Sequence, residues 1–170
     1  VAGVHHMYTI IDLGQLSKFG VTYWLPLASA ANIAQGGATL AVALKTKDQK
    51  IKSMAVPSAL SACMGITEPA IFGVNLRFGK PFVMGCIGGA FGALFASVTG
   101  LGATGTGVTG IFGILLCLNN PVSYILMFVI AFGAAFVLTW LFGYKDTNVS
   151  EKTESVEAVG DKSTTEKSNA

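Results

Sequence analysis

The sequence predicts an all-α protein that crosses a membrane several times. Of its 170 residues, 52% are hydrophobic and only 12% are charged, whereas about a quarter of the residues in soluble domains are charged. The charges also leave two long gaps, because 19–44 and 81–144 contain none. A soluble domain of this size must expose most of its residues to water. The composition therefore excludes a cytosolic enzyme, a secreted disulfide scaffold and a disordered chain.

Three stretches are long and apolar enough to cross a bilayer, which requires about 20 residues. We predict membrane spans over 21–44, 82–99 and 122–143. The first span contains Asn32 and Gln35, whose polar groups need partners inside a membrane. Both are candidates for ligand contacts, although polar residues in membrane helices often bridge neighbouring helices instead.

The second span carries two overlapping pairs of glycines four positions apart, Gly85 with Gly89 and Gly88 with Gly92. Small residues at this spacing let membrane helices approach closely. We therefore expect this span to pack inside a helix bundle. The following stretch, 100–120, is rich in glycine and threonine and is predicted to be a loop.

Residues 53–80 are apolar, but prolines and glycines interrupt them and argue against one regular span. Arg77 and Lys80 close this stretch with positive charge, and four lysines in 45–52 precede it. Short loops rich in lysine and arginine face the cytoplasm, so both ends are predicted on that side. We interpret the stretch as a re-entrant hairpin of two short helices, with a single kinked span as the alternative.

The two ends of the chain differ from its apolar middle. Residues 1–20 mix apolar and polar side chains, and the absence of an initial methionine suggests a piece of a longer polypeptide. Residues 146–170 are rich in Ser, Thr, Glu and Lys and contain no aromatic residue. Such a segment buries too little apolar surface to fold, so we predict a disordered cytoplasmic tail or linker. Basic residues are too few for a nucleic-acid partner.

The cysteines give no indication of a metal centre. Cys63, Cys86 and Cys117 lie in apolar stretches without metal-ligand spacing, and we interpret them as small buried hydrophobic residues. His5 and His6 have no further His or Cys at ligand spacing. We therefore expect neither a metal nor an organic cofactor.

Glu68 is the only acidic residue between 51 and 144. A carboxylate inside an apolar membrane segment is costly and marks a functional site by default. Pro69 suits the first position of a helix and disfavours helical geometry in the residue before it. Thr67 and Glu68 are therefore expected at a helix break, where the carboxylate can bind a hydroxyl or act as a general base. Capping of a hairpin tip in water is the alternative.

Two adjacent histidines, His5 and His6, do not share one helix face, so at most one is expected to point into a site. Asn75 and Arg77 follow Glu68 closely and are further candidates. None of these four residues identifies a ligand by itself.

Three elements together resemble a known family. The run Gly65–Phe78, GITEPAIFGVNLRF, resembles the signature of the membrane-embedded IIC domain of sugar permeases in the bacterial phosphoenolpyruvate-dependent phosphotransferase system, glucose superfamily. Gly3-Val4-His5-His6 resembles that family's Gly-x-His-His or Gly-x-His-Trp element, and 28–37 resembles the span between them. The combination is most similar to sucrose-specific permeases, with trehalose and β-glucoside permeases as alternatives.

The resemblance implies a specific activity. In that family the IIC domain binds a sugar, and a phosphocysteine on a separate IIB domain phosphorylates its C6 hydroxyl during entry. The glutamate of the Thr-Glu-Pro element and the histidine of the Gly-x-His element contact the sugar. The resemblance thus implies that Glu68 and His5 hold the sugar, with Glu68 as the catalytic base, His6 as second choice and Thr67 beside them. It also implies IIB and IIA phosphocarrier partners and a homodimer in the bacterial cell membrane.

The sequence lacks parts of a complete permease, since it contains no IIB phosphocysteine motif, no IIA histidine domain and no earlier IIC spans. We therefore predict that 1–145 is the C-terminal half of a IIC domain and is an enzyme only within the complete permease. The main alternative is a non-enzymatic secondary transporter that uses Glu68 as an ion or proton site. A structural membrane anchor would leave Glu68 without a role.

Overall fold

The computed structural model describes residues 5–107 and 109–144, with only the backbone described at 5 and 6. Helices make up most of these residues, and two of the helices are wide π-helical segments and one is a 3-10 segment. The α-helices are α1 His5–Phe19, α2 Trp24–Lys45, α3 Gln49–Cys63, α4 Leu76–Phe78, α5 Lys80–Val98 and α6 Pro121–Leu138. The predicted tail, 146–170, lies outside the described residues.

The three predicted spans are confirmed. Within the described part of the chain, three helices are long and apolar enough to cross a membrane, and they cover Trp24–Lys45, Lys80–Val98 and Pro121–Gly143. The third consists of α6 and a π-helical turn, Thr139–Gly143. Their bounds differ from the predicted ones by at most three residues, because runs of uncharged residues determine where the chain can enter a bilayer.

Helix α5 packs against both α2 and α6, which also contact each other, and its glycines lie in both of its contacts. A Cβ atom at Gly85 would lie 2.8 Å from the Gln35 side chain on α2, and one at Gly88 would lie 2.5 Å from Ala135 on α6. The two overlapping glycine pairs therefore face two different neighbours. This arrangement confirms the expected close packing.

Residues 49–78 form the predicted helical hairpin, in which α3 packs against a π-helical segment, Pro69–Asn75. The chain reverses at Gly65, whose φ of +104° favours glycine. The helix break was predicted at both Thr67 and Glu68, but Glu68 is helical, with φ −54° and ψ −48°. The reason is that the Thr67 carbonyl already accepts a hydrogen bond from Ile71 N at 2.8 Å. Only Thr67 therefore belongs to the break.

The stretch 100–120 is more ordered than the predicted loop. It contains a 3-10 segment, Gly110–Leu116, and its start pairs with the chain before α2. Thr22 and Ala103 exchange two backbone hydrogen bonds of 2.8 Å each. Composition did not indicate this pairing, because it joins residues about 80 positions apart.

The cysteines differ from the prediction of uniform burial. Cys117 is buried, Cys63 is half-buried and Cys86 is exposed on α5. Cys86 is exposed because the outer face of a membrane helix meets lipid, where a small apolar side chain is as stable as in the core. The prediction was therefore wrong for Cys86.

Candidate functional site

A cleft of about 530 Å³ lies where α1, the first half of α2, the hairpin break and the loop after α5 meet. Its polar lining consists of Thr9, Asp12, Asn32, Thr67, Glu68, Thr106 and Thr109. Its larger apolar side chains are Tyr8, Trp24, Leu25, Ile71 and Phe72. Hydroxyl, amide and carboxylate groups beside aromatic rings suit a polyhydroxylated ligand, because they offer both hydrogen bonds and apolar contact.

Glu68 lies in this cleft at the first turn of the π-helical segment. Its side chain is exposed, and its carboxylate forms no hydrogen bond with any group in the part of the chain that the structure describes. Thr67, directly before it, is half-buried and lines the same cleft. The structure thus brings two predicted site residues together and leaves the carboxylate available to a ligand.

Asn32 closes the cleft from the side of α2. Its Nδ2 donates a hydrogen bond of 3.0 Å to the Thr109 hydroxyl on the loop after α5. Directly after Thr109, Gly110 packs against the hairpin where the chain reverses. Its φ is +73°, and a Cβ atom there would lie 2.3 Å from the Cys63 carbonyl oxygen. Any side chain at this position would push the loop, and with it Thr109, away from the hairpin.

An aromatic pair forms part of the wall. Tyr8 on α1 stacks on Trp24 at the start of α2, with ring centroids 4.5 Å apart and an angle of 28° between the planes. Trp24 is half-buried, so part of the indole remains accessible to a ligand. An accessible aromatic face of this kind can pack against the apolar C–H groups of a ligand.

Gln35 and Asn75 do not line the cleft and form a buried polar cluster with Thr39. Asn75 Nδ2 donates to Gln35 Oε1 at 2.7 Å and to the Gln35 carbonyl oxygen at 3.1 Å. The Thr39 hydroxyl lies 3.0 Å from Asn75 Oδ1 and 2.8 Å from the Gln35 carbonyl oxygen. These contacts join α2 to the π-helical segment, which is the bridging role that polar residues often have in membranes.

The remaining candidates lie elsewhere or beyond the described side chains. Arg77 is exposed on α4 and does not line the cleft. The side chains of His5 and His6 lie outside the described residues. The helical register of α1 nevertheless places position 5 on the same face as 8, 9 and 12, whose residues line the cleft.

Sequence reasoning missed Asp12, Trp24 and Thr109. Asp12 had a signal, because it is the only acidic residue before Asp48 and follows His5 by seven positions, the spacing of two helical turns. Thr109 had none, because its place in the cleft depends on the loop after α5 returning to the hairpin.

Comparison with known proteins identifies the family. The model of the family described as "Phosphotransferase system, EIIC" matches residues 1–89, just over half of the chain. The chain belongs to this family. The matched region includes Asp12, Asn32, Thr67 and Glu68 of the cleft, and this membership confirms the resemblance stated from the sequence. No solved structure matches the chain.

Three curated relatives are similar in sequence to this EIIC chain. It is 45% identical over 148 residues to the PTS system sucrose-specific EIIBC component of Salmonella typhimurium, which covers 85% of the chain and 32% of the relative. The sucrose-specific EIIBC component of Bacillus subtilis (strain 168) is 40% identical over 156 residues, covering 89% and 34%. The trehalose-specific EIIBC component of the same organism is 40% identical over 121 residues, covering 71% and 26%. The chain thus spans between about a quarter and a third of the length of these relatives.

Proposed function

We propose that this chain supplies the sugar-binding cleft of a phosphotransferase-system permease that converts sucrose to sucrose-6-phosphate during entry. The observation that carries the proposal is the carboxylate of Glu68, which forms no hydrogen bond within the described residues and lies in a cleft lined by hydroxyl, amide and aromatic groups. A cleft with these groups on an EIIC chain suits a sugar.

The proposed chemistry assigns Glu68 to the C6 hydroxyl of the sugar. The carboxylate accepts the hydroxyl proton while the C6 oxygen forms a bond to phosphorus and the bond from phosphorus to the IIB cysteine sulfur breaks. The sulfur leaves as a thiolate. Thr67 and Asn32 hold other hydroxyls, and His5 rather than His6 joins them, because position 5 shares the cleft-lining face of α1.

The proposed assembly includes more than this chain. Residues 1–145 act as the C-terminal half of a IIC domain. The phosphoryl donor is a IIB domain, which receives its phosphoryl group from a IIA domain. The three apolar helices support a location in the bacterial cell membrane. The proposed permease is a homodimer.

Sucrose is the proposed sugar because two of the three relatives described above are sucrose-specific by name. The trehalose-specific relative matches a smaller share of the chain. Trehalose and β-glucosides are therefore the alternatives that a test must include.

The test uses the full-length permease in proteoliposomes with phosphorylated IIB and radiolabelled sucrose, trehalose or a β-glucoside. We expect sucrose to appear inside as sucrose-6-phosphate, at a higher rate than the other two sugars. Phosphorylation of another sugar in preference would contradict the assignment of sucrose. Entry of unmodified sucrose driven by a proton gradient would contradict the phosphotransferase mechanism and favour a secondary transporter.

A further inference from the structure

Asp12 is a second carboxylate in the cleft, and it comes from a different element than Glu68. It lies on α1, is only 7% exposed and lines the cleft beside Tyr8 and Thr9. A buried carboxylate is costly unless it is well partnered. Its position therefore requires an explanation that packing alone does not supply.

The Asp12 carboxylate is held from one side. Oδ1 accepts a hydrogen bond from the hydroxyl of Thr22, which is fully buried. The backbone of Thr22 is itself fixed by its two hydrogen bonds to Ala103. Thr22, whose hydroxyl also lies 3.1 Å from Gln15 Oε1, thus links the carboxylate to the loop after α5.

The second oxygen of Asp12 has a different environment. Oδ2 accepts no hydrogen bond from the described part of the chain. In that part, the fully enclosed polar side-chain atoms without a partner are Ser29 Oγ and Thr139 Oγ1, so Oδ2 is not fully enclosed. It therefore keeps some accessible surface, and Asp12 is one of the residues that line the cleft. An oriented carboxylate with one free oxygen is suited to accept a hydrogen bond from a ligand hydroxyl.

We infer that Asp12 is a further sugar-binding residue, which accepts a hydroxyl of the disaccharide other than the C6 hydroxyl assigned to Glu68. This inference rests on the proposed function. It gives the two carboxylates different roles. Asp12 determines affinity and sugar specificity, and Glu68 takes part in phosphoryl transfer.

The test compares Asp12→Asn with wild type in the full-length permease, using sucrose and its monodeoxy analogues. Asparagine keeps an acceptor for the Thr22 hydroxyl, so a purely structural role predicts little change. A sugar-binding role predicts an affinity for sucrose that is about tenfold lower or more, with turnover at saturating sucrose within about threefold of wild type. Asp48→Asn is the matched control, because that carboxylate caps α3 outside the cleft, and it should leave both values unchanged.

The deoxy analogues distinguish sugar binding from a structural defect, because a defect would weaken the binding of sucrose and of every analogue equally. In wild type, one analogue should bind about tenfold more weakly than sucrose, and in Asp12→Asn that difference should fall below about threefold. Equal losses in both proteins for every analogue would overturn the inference. If Asp12→Asn does not fold, Asp12→Glu should change the ranking of the analogues, and an unchanged ranking would overturn it. Absence of sucrose binding in wild type would instead overturn the proposed function.

Discussion

The polar cluster of Gln35, Thr39 and Asn75 lies in a mostly apolar interior and links α2 to the π-helical segment that follows Glu68. Asn75 and Thr39 are fully buried and Gln35 is 5% exposed. In lipid, hydrogen bonds between helices contribute on average only about 0.6 kcal/mol each. Removing one partner costs more, because it leaves the others buried without a partner.

We predict that Asn75→Ala destabilises the full-length permease by about 1–3 kcal/mol, because Gln35 Oε1 loses its donor and stays buried. The measurement is thermal unfolding of the detergent-solubilised protein. Asn119→Ala, at an exposed turn after the 3-10 segment, is the matched control and should change little. Equal stability of the two variants would show that the cluster does not hold the π-helical segment.

At the scale of helices, α5 determines how closely the bundle packs. Gly88 and Gly92 both face α6, where Cβ atoms would lie 2.5 Å and 2.6 Å from Ala135 and Ala131. Contacts this short involve backbone or Cβ atoms and cannot be relieved by a side-chain rotation. The α5–α6 contact therefore depends on the absence of a methyl group at these positions.

Gly88→Ala should separate α5 from α6 and destabilise the protein by about 1–3 kcal/mol through overpacking. Gly133→Ala is the matched control, since a Cβ atom at that position of α6 would meet nothing within 4 Å. Thermal unfolding of both variants checks the prediction. An equal melting temperature for Gly88→Ala and wild type would contradict the close α5–α6 contact.

The elements could be predicted where the physical signal is local. Uncharged runs identified the three spans, and prolines and glycines identified the hairpin, because both features act through neighbouring residues. The helical geometry of Glu68 was not predicted, because the hydrogen bond from Ile71 N to the Thr67 carbonyl outweighs the usual preference of a residue before proline. The segment Gly110–Leu116 was missed for a different reason, since its contacts reach back to the hairpin and to α2.

Across the whole molecule, α2 is mostly buried, whereas most of α5 and α6 faces outward. The outward side chains are large and apolar, as in Phe91, Leu94 and Val129. A surface of this kind suits lipid or further membrane helices. The lysines of 45–52 still predict that this end of the bundle faces the cytoplasm.

The candidate site was predictable only in part. Glu68, Thr67 and Asn32 stood out because polar residues are rare in an apolar chain, and the structure places all three in one cleft. Asp12 and Trp24 line the same cleft because α1 and the loop after α5 pack beside α2. No local pattern in the sequence indicates that packing. Gln35 and Asn75 carried the same polar signal as Asn32, and composition could not tell a bridging amide from one that faces a cleft.

The central claim is that Glu68 acts in phosphoryl transfer at a sugar site, and Glu68→Gln tests it most directly. Glutamine keeps the length and an acceptor oxygen but cannot take the proton of the C6 hydroxyl. The measurement is turnover at saturating sucrose with phosphorylated IIB, beside sucrose affinity, in the full-length permease. We predict a turnover about 10² to 10⁴-fold lower with a much smaller loss of affinity. Turnover near that of wild type, with or without a loss of affinity, would contradict the account.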